Sequence, residues 1–263
     1  MSDAAAWIVK DVMDPARAVA MAAVLDRPDP GPALPPFWHH AYFWEPRPPA
    51  ELGPDGHPRR GIGPIPDLGL PRRMWAGGSL RWHGALRTGR PASRRTTCAD
   101  AQRKTGRTGP LALVRLHHAI HQDGDLRVEE AQDLVYRAPP HPDDPAPRPP
   151  RAGTAPTERT RAFDAVTLFR YSALTFNGHR IHYDRDFATG VEGHGGVVVH
   201  GPLLAEGLID LATAQLGPLD GFRYRATAPL LVDQPAAFCC DGTRLWVRGP
   251  DGRLCMEAEA TPR

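Results

Sequence analysis

The first half of the chain contains one helical pattern followed by several strand-like patterns. Asp14 is a candidate N-cap with Pro15 at the first helical position, and apolar residues continue at helical spacing through residues 16–25. A proline-rich stretch with many aromatic residues follows, and we expect it to be irregular. Asp123-Gly124 separates two alternating segments and predicts a β-hairpin. The predicted strands are 80–86, 111–122 and 126–136.

The second half repeats this order of helix and strands. Asp164 is placed to cap a helix that runs to about Thr175, and Gly201 begins a second helix with leucines along one side. Turn residues at 241–242 and 249–252 separate the strand-like segments that come last. Helix followed by antiparallel sheet therefore occurs twice. The predicted strands of this half are 222–231, 236–240, 243–248 and 253–260.

A proline-rich segment separates the two halves. Residues 138–156 hold eight prolines among small and charged residues, a composition that buries little apolar area and favours extended conformations. We therefore divide the chain into an N-terminal unit at 1–137, a linker at 138–160 and a C-terminal unit at 161–263. The order of elements predicts an α+β fold in which each unit is a central helix wrapped by a curled antiparallel sheet.

Composition and charge exclude several classes of protein. The 263 residues are 41% hydrophobic and 24% charged, which is ordinary for a globular protein, while 30 prolines and 26 glycines indicate extensive loops. A net charge of +2 provides no overall field that would attract nucleic acid or an anionic membrane. The apolar runs are far shorter than the roughly 20 residues of a membrane-spanning helix, so no membrane segment is expected.

The cellular location is predicted from the N-terminus and the cysteines. The first ten residues lack the long apolar stretch and the cleavage site of a secretory signal. The four cysteines show no C-x-x-C spacing, and neighbouring Cys239 and Cys240 are poorly placed to bridge each other. These features favour a reducing compartment, and we expect a cytoplasmic protein.

Twelve histidines are present, and most are expected to be structural. The pairs His39-His40 and His117-His118 offer metal ligands, yet neighbouring residues on a strand point to opposite faces and no cysteine or carboxylate completes a set in the sequence. No metal site and no redox cofactor are predicted. His57 lies in a turn-like segment, where a structural role is expected and a catalytic role stays open.

One segment combines polar side chains with the start of a helix. A polar loop lies between the two predicted helices of the second half, and about 18 residues later Gly201 begins the second helix, where backbone N–H groups have no partner within the helix. Such groups can bind a developing oxyanion, and a neutral imidazole nearby can take a proton from water or from an acidic carbon. This pair meets the needs of addition across an activated double bond. The polar residues of the loop are Asn177, His179, Arg180, His182 and Asp184.

This segment resembles the catalytic signature of the MaoC-like hotdog hydratases and dehydratases. The resemblance rests on Tyr171-Ser172-Ala173 through Asn177, on the sequence His-Arg-Ile-His-Tyr-Asp at 179–184, and on His-Gly-Pro-Leu at 200–203. Within that superfamily it is most similar to the mitochondrial-type 3-hydroxyacyl-thioester dehydratases and the bacterial mesaconyl-C4-CoA hydratases. Residues 52–58 and 71–78 are similar to segments of the same bacterial branch, so the resemblance covers nearly the whole chain.

The resemblance implies a fold, an activity and a substrate class. It implies a tandem double hotdog, and a hydro-lyase that reversibly hydrates an enoyl thioester. The expected substrate is a short, branched or dicarboxylic acyl-CoA such as mesaconyl-CoA, or an acyl thioester on a carrier protein. One active site per chain is expected between the two units, with the N-terminal unit supplying walls of a tunnel for the acyl chain and pantetheine. A homodimer is a further expectation.

The resemblance also implies roles for individual residues. His182 is expected to be the general base and acid, Asn177 to position water or the imidazole, and the Gly201 N–H to be the oxyanion donor. The corresponding alternatives are an ordinary loop histidine, a turn residue and a plain helix start. Substrate contacts are expected from Arg170, Arg180, Tyr171, His200 and Trp75, with ion pairing, capping or packing as the alternatives.

The family's second acid/base group has no direct counterpart. In the superfamily an aspartate lies five residues before the catalytic histidine, and that position holds Asn177, which cannot exchange a proton at neutral pH. An alternative alignment places Thr175 there. We expect His179, or Asp184 as the orienting group of an imidazole, to fill this role.

Three other functions remain open at this stage. The first is a hotdog thioesterase, which would release free thiol from acyl-CoA. The second is a dehydratase fed by an acyl carrier protein, which would prefer a carrier-bound substrate over free CoA. The third is a non-catalytic acyl-thioester binding module, which would bind CoA without turnover and is favoured by the missing aspartate.

Overall fold

The computed structural model describes residues 6–106, 109–139 and 148–263. Within these ranges the α-helices are α1 at Pro15–Leu25, α2 at Ala165–Thr175 and α3 at Gly201–Leu216. Short helical turns lie at Trp38–Ala41, Pro49–Glu51, Arg180–His182 and Phe187–Val191. The strands are β1 at Trp7–Asp11, β2 at Arg72–Trp82, β3 at Ala92–Gly106, β4 at Gly109–Gln122, β5 at Asp125–Arg137, β6 at Thr157–Arg161, β7 at Leu219–Ala226, β8 at Ala236–Asp241, β9 at Arg244–Arg248 and β10 at Leu254–Pro262.

The strands form one antiparallel sheet in which a five-stranded topology occurs twice. The order across the sheet is β1-β3-β4-β5-β2-β7-β10-β9-β8-β6. In each half the first strand lies at the outer edge, and the second strand returns to the centre, where β2 pairs with β7. The same topology from two unrelated stretches of sequence supports the division into an N-terminal and a C-terminal unit.

Among the helices of the described residues, α3 is the one that packs extensively on the strands. Asp14 accepts a hydrogen bond from the Ala16 N–H at the start of α1, and Asp164 accepts one from the Thr167 N–H at the start of α2. These two helices follow β1 and β6 and contact each other. Helix α3 packs on β7 to β10, and most of its residues are buried. It is the central helix of the C-terminal unit.

The N-terminal unit has no helix equivalent to α3 among its described residues. Between α1 and β2 the chain forms only the turns at Trp38–Ala41 and Pro49–Glu51. The physical reason is the density of prolines in this stretch, since proline removes a helical hydrogen bond and clashes with the preceding turn. Trp38 instead donates a hydrogen bond from Nε1 to Glu206 of α3, 3.1 Å away, and so packs against the central helix of the other unit.

Most predicted elements are present. The three helices begin and end within one residue of the expected positions, and Asp123 and Gly124 form the hairpin turn with φ of 57° and 87°. Strands β1, β3 and β6 were not predicted, because they lie at or next to an edge of the sheet and their sequences lack a clear alternation of apolar and polar residues. Strand β6 begins at Thr157, so the last residues assigned to the linker belong to the C-terminal sheet. Residues 140–147 of that linker lie outside the described residues.

No helix in the described part of the chain is both long and apolar enough to cross a membrane. This finding agrees with the short apolar runs of the sequence.

Candidate active site

His182 lies at the end of the short turn Arg180–His182, and its imidazole is buried. Its Nδ1 is 2.7 Å from the carbonyl oxygen of Val198. Because a carbonyl only accepts hydrogen bonds, Nδ1 carries the proton and Nε2 keeps a lone pair. Burial lowers the pKa of His182 to about 4, although the bond to Val198 opposes that shift. The ring is therefore neutral at pH 7, with Nε2 available as a proton acceptor.

Gly201 is the first residue of α3 and presents an unpaired N–H. Pro202 has no N–H, and the N–H groups of Leu203 and Leu204 donate to the carbonyl oxygen of His200. The Gly201 N–H makes no hydrogen bond to any described residue, so it is the available donor at this helix start. A Cβ at Gly201 would lie 2.6 Å from Cε3 of Trp75, so only glycine lets this ring pack against the helix start.

His200 joins the imidazole of His182 to the start of α3. Its ring is fully buried and stacks on His182 with centroids 3.7 Å apart. Nε2 of His200 lies 2.8 Å from the hydroxyl of Ser172, and the edge of Tyr171 contacts the same ring. Since His200 directly precedes Gly201, this stack places the ring of His182 next to the residue that leads into α3.

His179 and Asn177 shape the loop beside His182. The ring of His179 is buried 5.4 Å from that of His182, edge to face. Oδ1 of Asn177 accepts a hydrogen bond of 3.0 Å from the backbone N–H of His179, which is an Asx turn. The carbonyl oxygen of this amide is therefore used within the loop. The turn alternative for Asn177 is present in the structure, and its role in positioning water stays a prediction.

A turn from the N-terminal half lies against this loop. Asp55 and His57 belong to it, and Oδ2 of Asp55 is 3.2 Å from Nδ1 of His57. The ring of His57 lies 4.4 Å from that of His179, centroid to centroid. The carbonyl oxygen of Asp55 accepts a hydrogen bond from the Arg180 N–H at 2.9 Å. The sequence favoured a turn role for His57 with a catalytic role left open, and it indicated no role for Asp55, although the resemblance at 52–58 includes both residues.

Four imidazoles thus form a continuous row, which we call the imidazole row: His57, His179, His182 and His200. Burial is the largest cause that lowers the pKa of each of them, and the neighbouring rings lower the pKa of His179 and His200 further. The row is neutral at pH 7. It approaches solvent at His57, whose side chain is 20% exposed.

Arg73 places a positive charge beside this row. It lies two residues before Trp75 on β2, so both side chains point to the same face of the sheet. Its charge lowers the pKa of His57 and of His179. Arg73 is half-buried, and its guanidinium forms no hydrogen bond or ion pair with any residue in the described ranges. This cation was missed from the sequence, although the family-like segment 71–78 contains it.

The predicted arginine contacts do not join the row. Arg180 is held by Asp184, by the carbonyl oxygen of Pro54 and by the ring of Phe187. Asp184 also accepts from the Phe187 N–H, so it orients Arg180 and this turn rather than an imidazole, and that expectation for Asp184 is wrong. Arg170 is exposed on α2 and lies outside the row. Substrate contacts by these two arginines stay predictions.

A second polar cluster lies in the N-terminal unit. His39 and His40 each place Nε2 3.0 Å from a different carboxylate oxygen of Glu130. They lie in a helical turn and not on a strand, so both reach the same group. Glu130 therefore completes a set of possible metal ligands, and the expectation that no carboxylate would do so is wrong. Asp55, His57 and His179 form a second such set. In the first set both histidines are hydrogen-bonded to the carboxylate, and in the second the carboxylate is bonded to His57, whose ring contacts His179.

Two surface cavities among the described residues lie away from the imidazole row. One of about 930 Å³ lies on the outer face of the sheet, around the junction of β2 and β7. Another of about 250 Å³ lies beside α1, β6 and α3. Neither contains a residue predicted for catalysis, and the expected acyl tunnel stays a prediction.

Sequence comparison places this site in a family. The family model described as hydroxyacyl-thioester dehydratase type 2 matches residues 37–232, which include the whole imidazole row. The chain belongs to this family. It is 44% identical over 274 aligned residues to the mesaconyl-C(4)-CoA hydratase of Chloroflexus aurantiacus, covering 98% of this chain and 97% of that protein. The resemblance inferred from the sequence is therefore confirmed.

Solved structures confirm the fold of this family member. HtdX of Mycobacterium tuberculosis matches with a TM-score of 0.71 at 18% identity, covering 98% of this chain and 100% of that one. A conserved hypothetical protein of M. tuberculosis described as a double hotdog fold matches with a TM-score of 0.61 at 14% identity, covering 99% and 96% of the two chains. The α+β tandem double hotdog is thus confirmed.

Proposed function

We propose that this protein is a hydro-lyase that reversibly adds water to the double bond of an enoyl thioester. The observation that carries the proposal is that the ring of His182, with a lone pair on Nε2, stacks on His200, the residue directly before the unpaired Gly201 N–H at the start of α3. His200 connects the two by stacking on one and preceding the other. Membership of the hydroxyacyl-thioester dehydratase type 2 family supports the same reaction.

The proposed chemistry needs one base and one oxyanion donor. In the hydration direction, water gives a proton to His182 Nε2 while its oxygen bonds to the β-carbon. The electrons of the double bond move to the thioester oxygen, which the Gly201 N–H holds as an oxyanion. The imidazolium then returns the proton to the α-carbon, so the ring ends neutral. Dehydration follows the same steps in reverse.

The proposed substrate is the CoA thioester of a short dicarboxylic acid. The 44% identical relative is named for mesaconyl-C(4)-CoA, whose acyl group carries a second carboxylate. Arg73 supports the same class, because a half-buried cation beside the imidazoles can pair with such a carboxylate. Free CoA as the carrier, the homodimer and the cytoplasmic location remain predictions from the sequence.

Substitution of His182 tests this function. We expect His182→Gln to lower kcat for hydration of mesaconyl-C4-CoA and of crotonyl-CoA by about 10²–10⁴-fold, the range for loss of a general base. His117→Gln is the matched control, because His117 is half-exposed and lines the cavity on the outer face of the sheet, away from the imidazole row. Loss of the double bond is followed by absorbance, and thiol release by a thiol dye. Wild-type turnover by His182→Gln, or thiol release matching substrate loss, would overturn the proposal.

A further inference from the structure

The Asp55–His57 pair comes from the N-terminal half and meets the catalytic loop of the C-terminal half. We propose that His57, oriented by Asp55, is the second hydrogen-bond acceptor for the reacting water. This inference rests on the proposed function and adds to it a residue that lies more than 100 positions before the loop in sequence. It assigns to the N-terminal unit a part in the chemistry itself.

The hydrogen bond to Asp55 fixes which nitrogen of His57 is bare. A carboxylate accepts hydrogen bonds, so the contact of 3.2 Å puts the ring proton on Nδ1 and leaves the lone pair on Nε2. The other oxygen of Asp55 accepts from the backbone N–H of His57, which holds the carboxylate in place. His57 therefore has the same protonation pattern as His182, whose Nδ1–H donates a hydrogen bond to the carbonyl oxygen of Val198.

The turn that carries this pair is locked onto the loop. Gly56 has φ of +88°, and a Cβ there would overlap the carbonyl oxygen of Gly178. Arg180 donates to the carbonyl oxygens of both Asp55 and Pro54, each at 2.9 Å. Two backbone segments from different halves thus meet without side chains between them. This contact holds the His57 ring against His179, within the row that contains His182.

Several other polar groups beside the row already have hydrogen-bond partners, while the ring of His179 is buried and has no carboxylate bonded to it. Oδ1 of Asn177 accepts from the loop backbone, and Asp184 is bonded to Arg180. Nε2 of His200 is bonded to Ser172. Among the residues described around the row, His57 is the histidine that is both paired with a carboxylate and partly exposed. It is therefore the group best placed to meet a water that enters from solvent.

The chemistry keeps a simple proton balance. Water donates one O–H to His182 Nε2 and the other to His57 Nε2. Only the first proton moves when the oxygen bonds to the β-carbon, and His182 returns it to the α-carbon. The second proton stays on oxygen as the new hydroxyl, so His57 ends the reaction as it began. His57 thus holds the oxygen without exchanging a proton with carbon.

Two variants of His57 separate this role from a structural one. Asparagine places its amide near Nδ1, so His57→Asn keeps a partner for Asp55 and removes the acceptor at Nε2. Glutamine places its amide oxygen near Nε2, so His57→Gln restores an acceptor. We expect kcat for hydration to fall by about 10²-fold or more in His57→Asn and by less in His57→Gln, with KM changed little. If His57 were only structural, kcat would fall more in His57→Gln than in His57→Asn, because asparagine keeps the partner of Asp55.

Exchange of the α-proton separates this inference from the proposed function. Butyryl-CoA has no β-hydroxyl, and its α-proton exchange in D₂O requires only His182 and the Gly201 N–H. We expect His57→Asn to exchange at the wild-type rate and His182→Gln to lose exchange. His83→Gln is the control, because His83 is also paired with a carboxylate, Glu129, but on the outer face.

The outcomes are distinct. Normal hydration by His57→Asn overturns the inference, and so does equal loss of hydration and exchange in that variant. Normal exchange and hydration by His182→Gln overturns the proposed function instead. Loss of hydration with exchange retained supports both.

Discussion

The chemistry of His182 depends on one backbone carbonyl. The Val198 oxygen holds the proton on Nδ1 and so leaves Nε2 bare, while burial keeps the ring neutral at pH 7. The same logic applies to His57, where a carboxylate replaces the carbonyl. At the scale of single residues, the acceptor bonded to Nδ1 of each of these two histidines therefore determines its tautomer.

Arg73 provides a prediction about substrate choice at this scale. We expect Arg73→Gln to raise KM for mesaconyl-C4-CoA by roughly 10- to 100-fold, because a hydrogen bond to a charged group is worth about 1.5–3 kcal/mol. KM for crotonyl-CoA, which lacks the second carboxylate, should change little. Arg81→Gln on the same strand is the control, since Arg81 is exposed. Steady-state kinetics on both substrates measures the two KM values. An equal rise in KM for both would show that Arg73 does not bind the second carboxylate.

Among the elements, two loops and one helix start build the site. Helix α2 ends at Thr175 and leads directly into the Asx turn of Asn177, while α3 begins at Gly201 against the ring of Trp75. The turn around Gly56 closes the loop from the other half. Each of these elements supplies one histidine of the imidazole row or holds a neighbouring element in place, so the site requires all of them.

A pair of glycines tests the contact between the turn and the loop. Gly56 and Gly63 have nearly the same φ, +88° and +89°, so alanine costs similar backbone strain at both. Only at Gly56 would the new Cβ overlap Gly178, since Gly63 has no atom within 4 Å of that position. We expect Gly56→Ala to lower kcat by about 10²-fold through misplacement of the turn.

The control, Gly63→Ala, should keep the wild-type kcat and lose only stability. Kinetics and thermal unfolding of both variants provide the comparison. Equal activity in the two would show that the contact at Gly178 does not position the site.

For the whole molecule, two copies of one sheet topology have different tasks. The C-terminal unit contains α3 and His182, the proposed base, and the N-terminal unit lacks the equivalent helix and contributes the Asp55–His57 turn and Arg73. Burial of so many histidines makes stability depend on pH. The histidines whose pKa is lowered are His39, His57, His118, His179, His182, His194 and His200.

The sign of this dependence follows from proton linkage. Below the ordinary histidine pKa of 6.5, the unfolded chain binds protons that the folded chain excludes, down to about pH 4 for His182 and about pH 3 for His118. We therefore expect the free energy of unfolding to fall as pH drops from 7 to 4, by up to about 1.4 kcal/mol per pH unit for each such group. The lowered pKa of Glu130 acts in the same direction at lower pH, and the raised pKa of Glu206 opposes it.

Urea unfolding followed by circular dichroism at several pH values measures this dependence. His118→Gln should reduce the slope, because it removes one group that the folded state keeps neutral. A free energy of unfolding that is constant between pH 7 and pH 4 would contradict the prediction.

The sequence by itself determined the local features. Asp14 and Asp164 predict the starts of their helices, and Asp123-Gly124 predicts its hairpin. The loop at 177–184, together with Gly201, carries the resemblance to the family. These signals are readable because capping, turn conformation and helix starts depend on residues that are neighbours in the chain. Strands β1, β3 and β6 were not predicted from the sequence, because pairing with neighbouring strands, and not their own residue patterns, defines them.

Only the tertiary structure decided which groups meet. The proton on His182 depends on Val198, and the partner of the loop is a turn more than 100 residues earlier. His39 and His40 share Glu130 for the same reason. Burial, tautomer and charge arise from atoms that folding brings together across long stretches of chain, and no local spacing encodes those distances.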